Sequence, residues 1–160
     1  MKTYRTLLAA LAVATAAAVP AAVQAQEGDA KAGERIFKRC AACHRVGEGA
    51  KNAIGPELND LFGRKAGSVE GFKYSPIMPA MGEAGMVWNR ETFSGYVHDP
   101  RGWLVQEAKK LGLDCNKLKN CRNRMQFAGL RKDEEINDVI AYLLTFDSDG
   151  MPAGGDTAKK

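Results

Sequence analysis

Five consecutive residues, Cys-Ala-Ala-Cys-His at positions 40–44, constrain this chain more than any other feature. A C-x-x-C-H run is the signature for covalent attachment of a c-type haem. The thiols of Cys40 and Cys43 can each reach one vinyl group of a porphyrin, and His44 can then place an imidazole nitrogen on the iron. The alternative is a zinc-binding or redox C-x-x-C pair that happens to precede a histidine. With haem attached, burial of the macrocycle would supply much of the folding energy of so short a chain, as structural metals do elsewhere.

The first 25 residues predict export. Lys2 and Arg5 precede an alanine-rich apolar run over residues 7–23, which ends in a small-x-small pattern before the polar residues that begin at Gln26. This is the pattern of a cleaved secretory signal peptide, so we expect the mature protein in the periplasm. A retained membrane anchor is the alternative, since a spanning helix needs only about 20 apolar residues.

The remaining chain predicts one domain over residues 26–146 and a polar, glycine-rich flexible tail over residues 147–160. Residues 109–124 hold six basic residues against one acidic residue, whereas residues 133–156 hold seven acidic residues and no basic one. These stretches are either two solvated faces or, for the basic one, a docking surface for an acidic partner. No nucleic-acid-binding motif is present, so we expect no nucleic acid partner.

The apolar periodicity predicts an all-α protein, because no alternating run is long enough for a strand. We expect a short helical piece at residues 57–62 and an irregular segment at residues 113–130. Side chains that can cap helices predict the main helices. These helices follow Asp29 (apolar side Gly33, Ile36, Phe37, Cys40), Asn89 (Phe93, Tyr96, Val97), Asp99 (through Lys110, ending at Gly112) and Asp133 (Ile136, Val139, Ile140, Leu143, Leu144).

A haem iron held by His44 needs a second axial ligand if its sixth site is to be closed. The sequence favours Met125, because it lies in an irregular stretch before the last helix, where a loop can carry a thioether across the haem face. Other candidates remain open: Met78, Met81, Met86, Met151 and His98.

Further motifs, spread from about residue 28 to residue 146, make the chain resemble the class I c-type cytochromes, most closely the bacterial cytochrome c2 group and its mitochondrial relatives. In chain order they are Gly33-x-x-x-Phe37, the run 40–44, Ile54-Gly55-Pro56-Glu57-Leu58, Leu61-Phe62-Gly63-Arg64-Lys65, Gly71-Phe72-Lys73-Tyr74-Ser75, Trp88, Tyr96, Pro100, Arg124-Met125-Gln126-Phe127-Ala128-Gly129 and Ala141-Tyr142-Leu143.

The resemblance implies the cytochrome c fold, in which N- and C-terminal helices cross and loops wrap one covalently attached haem c. It implies His44 and Met125 as iron ligands, with the Pro56 carbonyl accepting from the His44 ring and Tyr96 bonding the ligand sulfur. Phe127 is expected beside the haem. Gly33 and Tyr142 are expected to meet where the two helices cross. The residues expected to hold the inner haem propionate are Arg64, Tyr74 and Trp88.

The resemblance also implies an electron-transfer protein and not an enzyme. We expect a soluble monomer that shuttles electrons in photosynthesis or respiration, from a bc1-type quinol-oxidising complex to a reaction centre or a terminal oxidase. Candidate docking residues around the haem edge are Lys51, Lys65, Lys109, Lys110, Lys117, Lys119, Arg122 and Arg124. The alternative is a haem c protein with an open sixth site that binds small ligands or acts as a peroxidase.

The chain departs from the family pattern in four places. Asn123 stands where relatives have Thr or Ser bonding an outer propionate, and Met78 stands where mitochondrial members have Asn near the Tyr96 hydroxyl. The segment 74–88 is longer than in the mitochondrial form. Cys115 and Cys121 have no counterpart in the usual members. Because the haem motif uses the other two thiols, these two are expected to form a disulfide in an oxidising compartment, with two free thiols as the alternative. A zinc domain built on all four cysteines is the alternative, but C-x5-C is poor zinc spacing.

Overall fold

The computed structural model describes residues 28–153, and in this range the chain is helical. The helices are α1 (Ala30–Phe37), α2 (Ile77–Glu83), α3 (Arg90–His98), α4 (Pro100–Lys110) and α5 (Asp133–Leu143), with a 3₁₀ turn at Lys119–Cys121. Extended pairing in the described range is limited to two isolated bridges, Lys65 with Val87 and Phe146 with Pro152. The all-α prediction is therefore confirmed. The predicted signal peptide, residues 1–25, lies outside the described residues.

Helices α1 and α5 cross at close range and form the base of the fold. Asp29 caps α1 by accepting from the Lys31 amide at 2.8 Å, and its own amide donates to an Asp138 carboxylate oxygen at 2.7 Å. A Cβ added at Gly33 would lie 1.9 Å from the Asp138 carbonyl oxygen and 2.8 Å from Tyr142 Cβ. The predicted contact of Gly33 with Tyr142 is therefore confirmed, and a side chain larger than hydrogen would push the helices apart.

Helices α3 and α4 begin at the predicted capping residues. Asn89 forms a capping box with Thr92 at the start of α3. Asp99 caps α4 and Pro100 takes its first position, where the missing N–H costs nothing. Gly112 follows α4 with φ of 70°, the left-handed conformation that glycine adopts without strain.

Three details of the predicted helices are wrong. Residues 57–62 form turns and not a helix: the Leu58 amide bonds back to the Arg45 carbonyl, and Asp60 has φ of 46°. Asp133 is the first residue of α5 and not its cap, which is Lys132. Leu144 is the residue after the end of α5 and is 44% exposed, so it is not part of the buried face.

Helix α2 was not predicted, because it lies in a segment dense in Gly and Pro. Its Pro79 is the third helical residue, where the backbone N–H has no partner within the helix, so the proline is tolerated. Residues 147–153 of the predicted tail fold back on the domain, with the Ala153 amide donating to the Thr145 carbonyl at 2.7 Å. The rest of the predicted tail lies outside the described residues. Within residues 28–153, none of the helices has the length and apolar character needed to cross a bilayer.

Candidate haem site

The Cys-Ala-Ala-Cys-His run continues the end of α1 as a series of tight turns. The Cys40 amide donates to the Phe37 carbonyl at 2.7 Å, and the His44 amide donates to the Cys40 carbonyl at 2.9 Å. These turns aim both thiols and the imidazole at one cavity. A short helical connection of this kind suits attachment to a flat ring, because the three side chains stay close together.

The cavity is lined by every residue that the sequence predicted at the cofactor. These are Cys40, Cys43, His44, Pro56, Arg64, Tyr74, Trp88, Tyr96, Met125 and Phe127. Apolar side chains from α3 and α5 complete the wall: Phe93, Val97, Val139 and Leu143. The cavity therefore has the mostly apolar lining that a porphyrin requires, with a few polar groups at defined places.

The His44 ring is fixed by the Pro56 carbonyl, which lies 2.7 Å from Nδ1. A carbonyl only accepts, so Nδ1 donates and Nε2 keeps the lone pair that a metal needs. Burial lowers the pKa of His44, which favours this neutral ring. A Cβ at Gly55 would lie 2.5 Å from His44 Cε1, so glycine is required for the ring to sit here.

The alternatives for the two cysteines of the motif are not supported. Burial raises the pKa of Cys40 to about 11, whereas a redox C-x-x-C motif needs a lowered thiol pKa. Cys115 and Cys121 form a disulfide bond with each other and not with the motif. No group of three or more His, Cys, Asp or Glu side chains within residues 28–153 could hold a zinc ion.

Met125 and Met78 are the two candidate sulfur ligands that line the cavity. The Tyr96 hydroxyl donates to Met125 Sδ at 3.2 Å, as the resemblance implied. Burial raises the pKa of Tyr96 well above its usual range, so the phenol keeps the proton that it donates. The other candidates lie away from the cavity. Met81 and Met86 are buried in the core, while Met151 and His98 are exposed.

One side of the cavity carries polar groups suited to a carboxylate. Arg64 donates to Glu57 Oε1 at 2.6 Å and to the backbone carbonyls of Glu57 and Asn59. Ser75 Oγ is buried and has no hydrogen-bond partner among residues 28–153. A buried hydroxyl without a partner is costly, and beside Tyr74 and Arg64 it fits a carboxylate brought by a bound group.

The sequence did not predict the roles of two residues of the site, Ser75 and Asn123. Ser75 was quoted only as part of a motif, and its unpartnered hydroxyl could not be foreseen. Asn123 was noted as a departure that loses a hydrogen bond to a propionate. In the structure its amide instead donates to the Tyr96 hydroxyl. The only sequence signal was its position two residues before Met125.

Comparisons with known proteins agree with this geometry. The family model "Cytochrome c" matches residues 30–147. The chain is 45% identical over 128 residues to a cytochrome c2 of Afifella marina, covering 79% of this chain and 90% of the relative. It is 40% identical over 146 residues to a cytochrome c2 of Blastochloris viridis, covering 91% and 97%. The solved structure of cytochrome c2 from Rhodospirillum centenum superposes with a TM-score of 0.67 at 40% identity, covering 75% of this chain and 99% of that one.

Proposed function

Because the chain belongs to the cytochrome c family, and within it to the cytochrome c2 group, we propose that it is a soluble one-electron carrier of the periplasm. Like its relatives it is an electron-transfer protein with one covalently attached haem c, and not an enzyme. The proposed donor is a quinol-oxidising complex of the bc1 type. The proposed acceptor is a photosynthetic reaction centre or a terminal oxidase.

Convergence of His44 and Met125 on one cavity is the observation that carries the proposal. Cys40 and Cys43 would hold a bound haem through thioether bonds, and His44 and Met125 are the side chains that would bind its iron. The bound haem would supply one-electron redox chemistry. A methionine ligand raises the reduction potential and leaves no site for substrate, which suits transfer and not catalysis.

The polar side of the cavity holds the inner propionate in this proposal. Arg64, Tyr74, Ser75 and Trp88 all line it and can donate hydrogen bonds. Glu57 forms an ion pair with the Arg64 guanidinium, whose five N–H groups are enough for both Glu57 and a propionate. Met125 and Phe127, from the segment before α5, line the cavity and would shield a bound haem from water.

The optical spectrum of the purified protein tests the ligands. We expect a Soret band, a low-spin pattern and, in the oxidised form, a weak sulfur-to-iron charge-transfer band. A high-spin pattern would instead favour the ligand-binding or peroxidatic alternative, and absence of a Soret band would exclude haem.

Export is tested by fractionation. We expect the mature protein in the periplasmic fraction, with a mass that places its N-terminus near Gln26. A protein that stays in the membrane with its first 25 residues would contradict the soluble carrier. Electron-transfer rates with isolated membrane complexes would then identify the donor and the acceptor.

A further inference from the structure

Residues 121–127 run from the last residue of the 3₁₀ turn across the cavity, and we call this segment the Met125 strap. Burial alternates along it: Cys121, Asn123, Met125 and Phe127 are buried or half-buried, while the residues between them are exposed. This alternation is that of an extended chain, in which side chains at every second position point the same way. Asn123 and Met125 therefore share the inner side of the strap.

The inner side chains of the strap meet Tyr96 of α3. The Asn123 Nδ2 donates to the Tyr96 hydroxyl oxygen, and that hydroxyl donates to Met125 Sδ at 3.2 Å. Tyr96 is 8% exposed, so water competes little for its oxygen. A phenol has a single proton, and an amide N–H can only donate to its oxygen. The Asn123 amide thus occupies the oxygen as a donor and leaves the one proton of Tyr96 directed at the sulfur.

We propose that Asn123 is a positioning residue that raises the reduction potential by keeping the Tyr96 hydroxyl hydrogen-bonded to the axial sulfur. The inference rests on the proposed function, since it takes Met125 as the iron ligand. A hydrogen bond to the thioether withdraws electron density from the sulfur. The sulfur then donates less electron density to the iron, and the electron-poor ferric state loses more stabilisation than the ferrous state. This role differs from the propionate contact that the family pattern gives to a Thr or Ser at this position.

The test compares potentials of the haem-loaded protein by spectroelectrochemistry. Asn123→Leu keeps the branching of the side chain at Cγ and removes its donor, and Asn123→Ala removes both. Asn116→Ala, in the exposed loop before the strap, is the matched control. At a fixed electrode potential we expect both Asn123 variants to lower the ferrous-to-ferric ratio by about two- to five-fold, as loss of one buried hydrogen bond would. A ten-fold change corresponds to about 59 mV for one electron.

Tyr96→Phe separates the relay from simple packing. If Asn123 acts through the phenol, the shift caused by Asn123→Leu falls to less than half in the Tyr96→Phe background, as expected for coupled residues. A shift of the same size in both backgrounds overturns the proposal. The proposal is also overturned if the Asn123→Leu and Asn116→Ala proteins have the same potential. It is likewise overturned if only Asn123→Ala changes the potential, because that effect would reflect a cavity.

The outcome for Asn123 is distinguishable from that for the function. If the unmodified protein lacks the low-spin His/Met spectrum, the proposed ligands fail. If that spectrum is present in the protein and its variants while the potentials coincide, Met125 remains the ligand and only the role of Asn123 is wrong.

Discussion

At the residue scale, the two methionines that line the cavity differ in one contact: the Tyr96 hydroxyl bonds the sulfur of Met125 and not that of Met78. Met78 is 6% exposed and belongs to the first turn of α2, whose backbone is fixed by its own hydrogen bonds. Met125 lies on an irregular segment that can adjust to an iron. This difference in hydrogen bonding and backbone freedom favours Met125 over Met78 as the proposed ligand.

We predict that Met125→Leu opens the sixth site and lowers the reduction potential. Leucine nearly conserves the volume, so the fold should lose less than about 1.5 kcal/mol of stability, but it has no atom that can bind iron. The ferric spectrum should become high-spin and lose the charge-transfer band. Met78→Leu is the control and should keep both. A low-spin His/Met spectrum that survives Met125→Leu would mean that another methionine is the ligand.

Residues of the site were predictable where the chemistry is local. The run 40–44 places both thiols and the imidazole within five positions, and the Pro56 carbonyl that contacts His44 lies only twelve residues further along the chain. The Asn123 contact with Tyr96 joins residues 27 apart. The sequence does not indicate that these two residues meet, because an asparagine in a loop is usually exposed to solvent. Only the path of the folded strap brings them together.

At the scale of elements, the crossing of α1 and α5 depends on Gly33, where a Cβ would lie 1.9 Å from a backbone oxygen. A clash with a backbone oxygen cannot be relieved by a rotamer change, so the helices must separate. We predict that Gly33→Ala lowers the free energy of unfolding by about 3 kcal/mol, the upper range for overpacking.

Denaturant unfolding of the haem-loaded protein measures this effect of Gly33→Ala. Glu34→Ala changes the next, exposed residue of the same helix and should shift stability by no more than about 0.5 kcal/mol. Equal stability of the two variants would show that the crossing has room that the structure does not suggest.

Helices were predictable where a cap and an apolar stripe coincide, as at Asn89 and Asp99. The helix at Ile77–Glu83 was missed because its two prolines argued against it, although both lie at its start. The turns near Leu58 were mistaken for a helix because their apolar spacing is helical. Their amides are taken by distant partners such as the Arg45 carbonyl, so tertiary contacts override the local pattern.

The disulfide closes a turn in which Lys119, Asn120 and Cys121 all have positive φ, between 51° and 57°. This conformation costs a non-glycine residue roughly 1–2 kcal/mol, whereas closing so small a loop contributes about 2 kcal/mol. The bridge thus offsets part of the strain of the turn. Since Cys121 begins the Met125 strap, the bridge holds the strap in place more than it stabilises the whole domain.

We predict that changing Cys115 and Cys121 together to Ser speeds displacement of Met125 by imidazole in the ferric protein by about three- to ten-fold. The freed turn relaxes from its strained conformation, and release of about 1 kcal/mol of strain corresponds to a factor of about five in the rate. Stopped-flow spectroscopy measures the displacement rate, and Lys117→Ala in the same loop is the control. The thermal midpoint should move little. Unchanged displacement rates would leave the bridge without influence on the ligand, and two free thiols by mass spectrometry would remove the bridge itself.

At the scale of the whole molecule, charge is unevenly distributed. Six basic residues lie at residues 109–124, and the acidic start of α5 follows at residues 133–135. Some of the predicted docking residues are partly neutralised: Lys65 pairs with Glu83 and Lys110 pairs with Glu107. Arg122 is exposed on the outer side of the strap and has no ion-pair partner within residues 28–153. It is therefore a candidate for an encounter with an acidic partner.

The last prediction is that such encounters depend on salt and on where a positive charge lies. Exposed charges act over about 8 Å at physiological ionic strength, so added salt should slow the second-order electron-transfer rate steeply. Arg122→Glu reverses a charge on the Met125 strap, whereas Lys31→Glu makes the same change in net charge at the start of α1. Stopped-flow reaction with a membrane complex that has an acidic docking face should show a several-fold larger loss of rate for Arg122→Glu at low salt. The two variants should converge at high salt, where screening removes the difference. Equal losses would show that net charge and not the strap face guides the encounter, and a rate independent of salt would rule out electrostatic docking altogether.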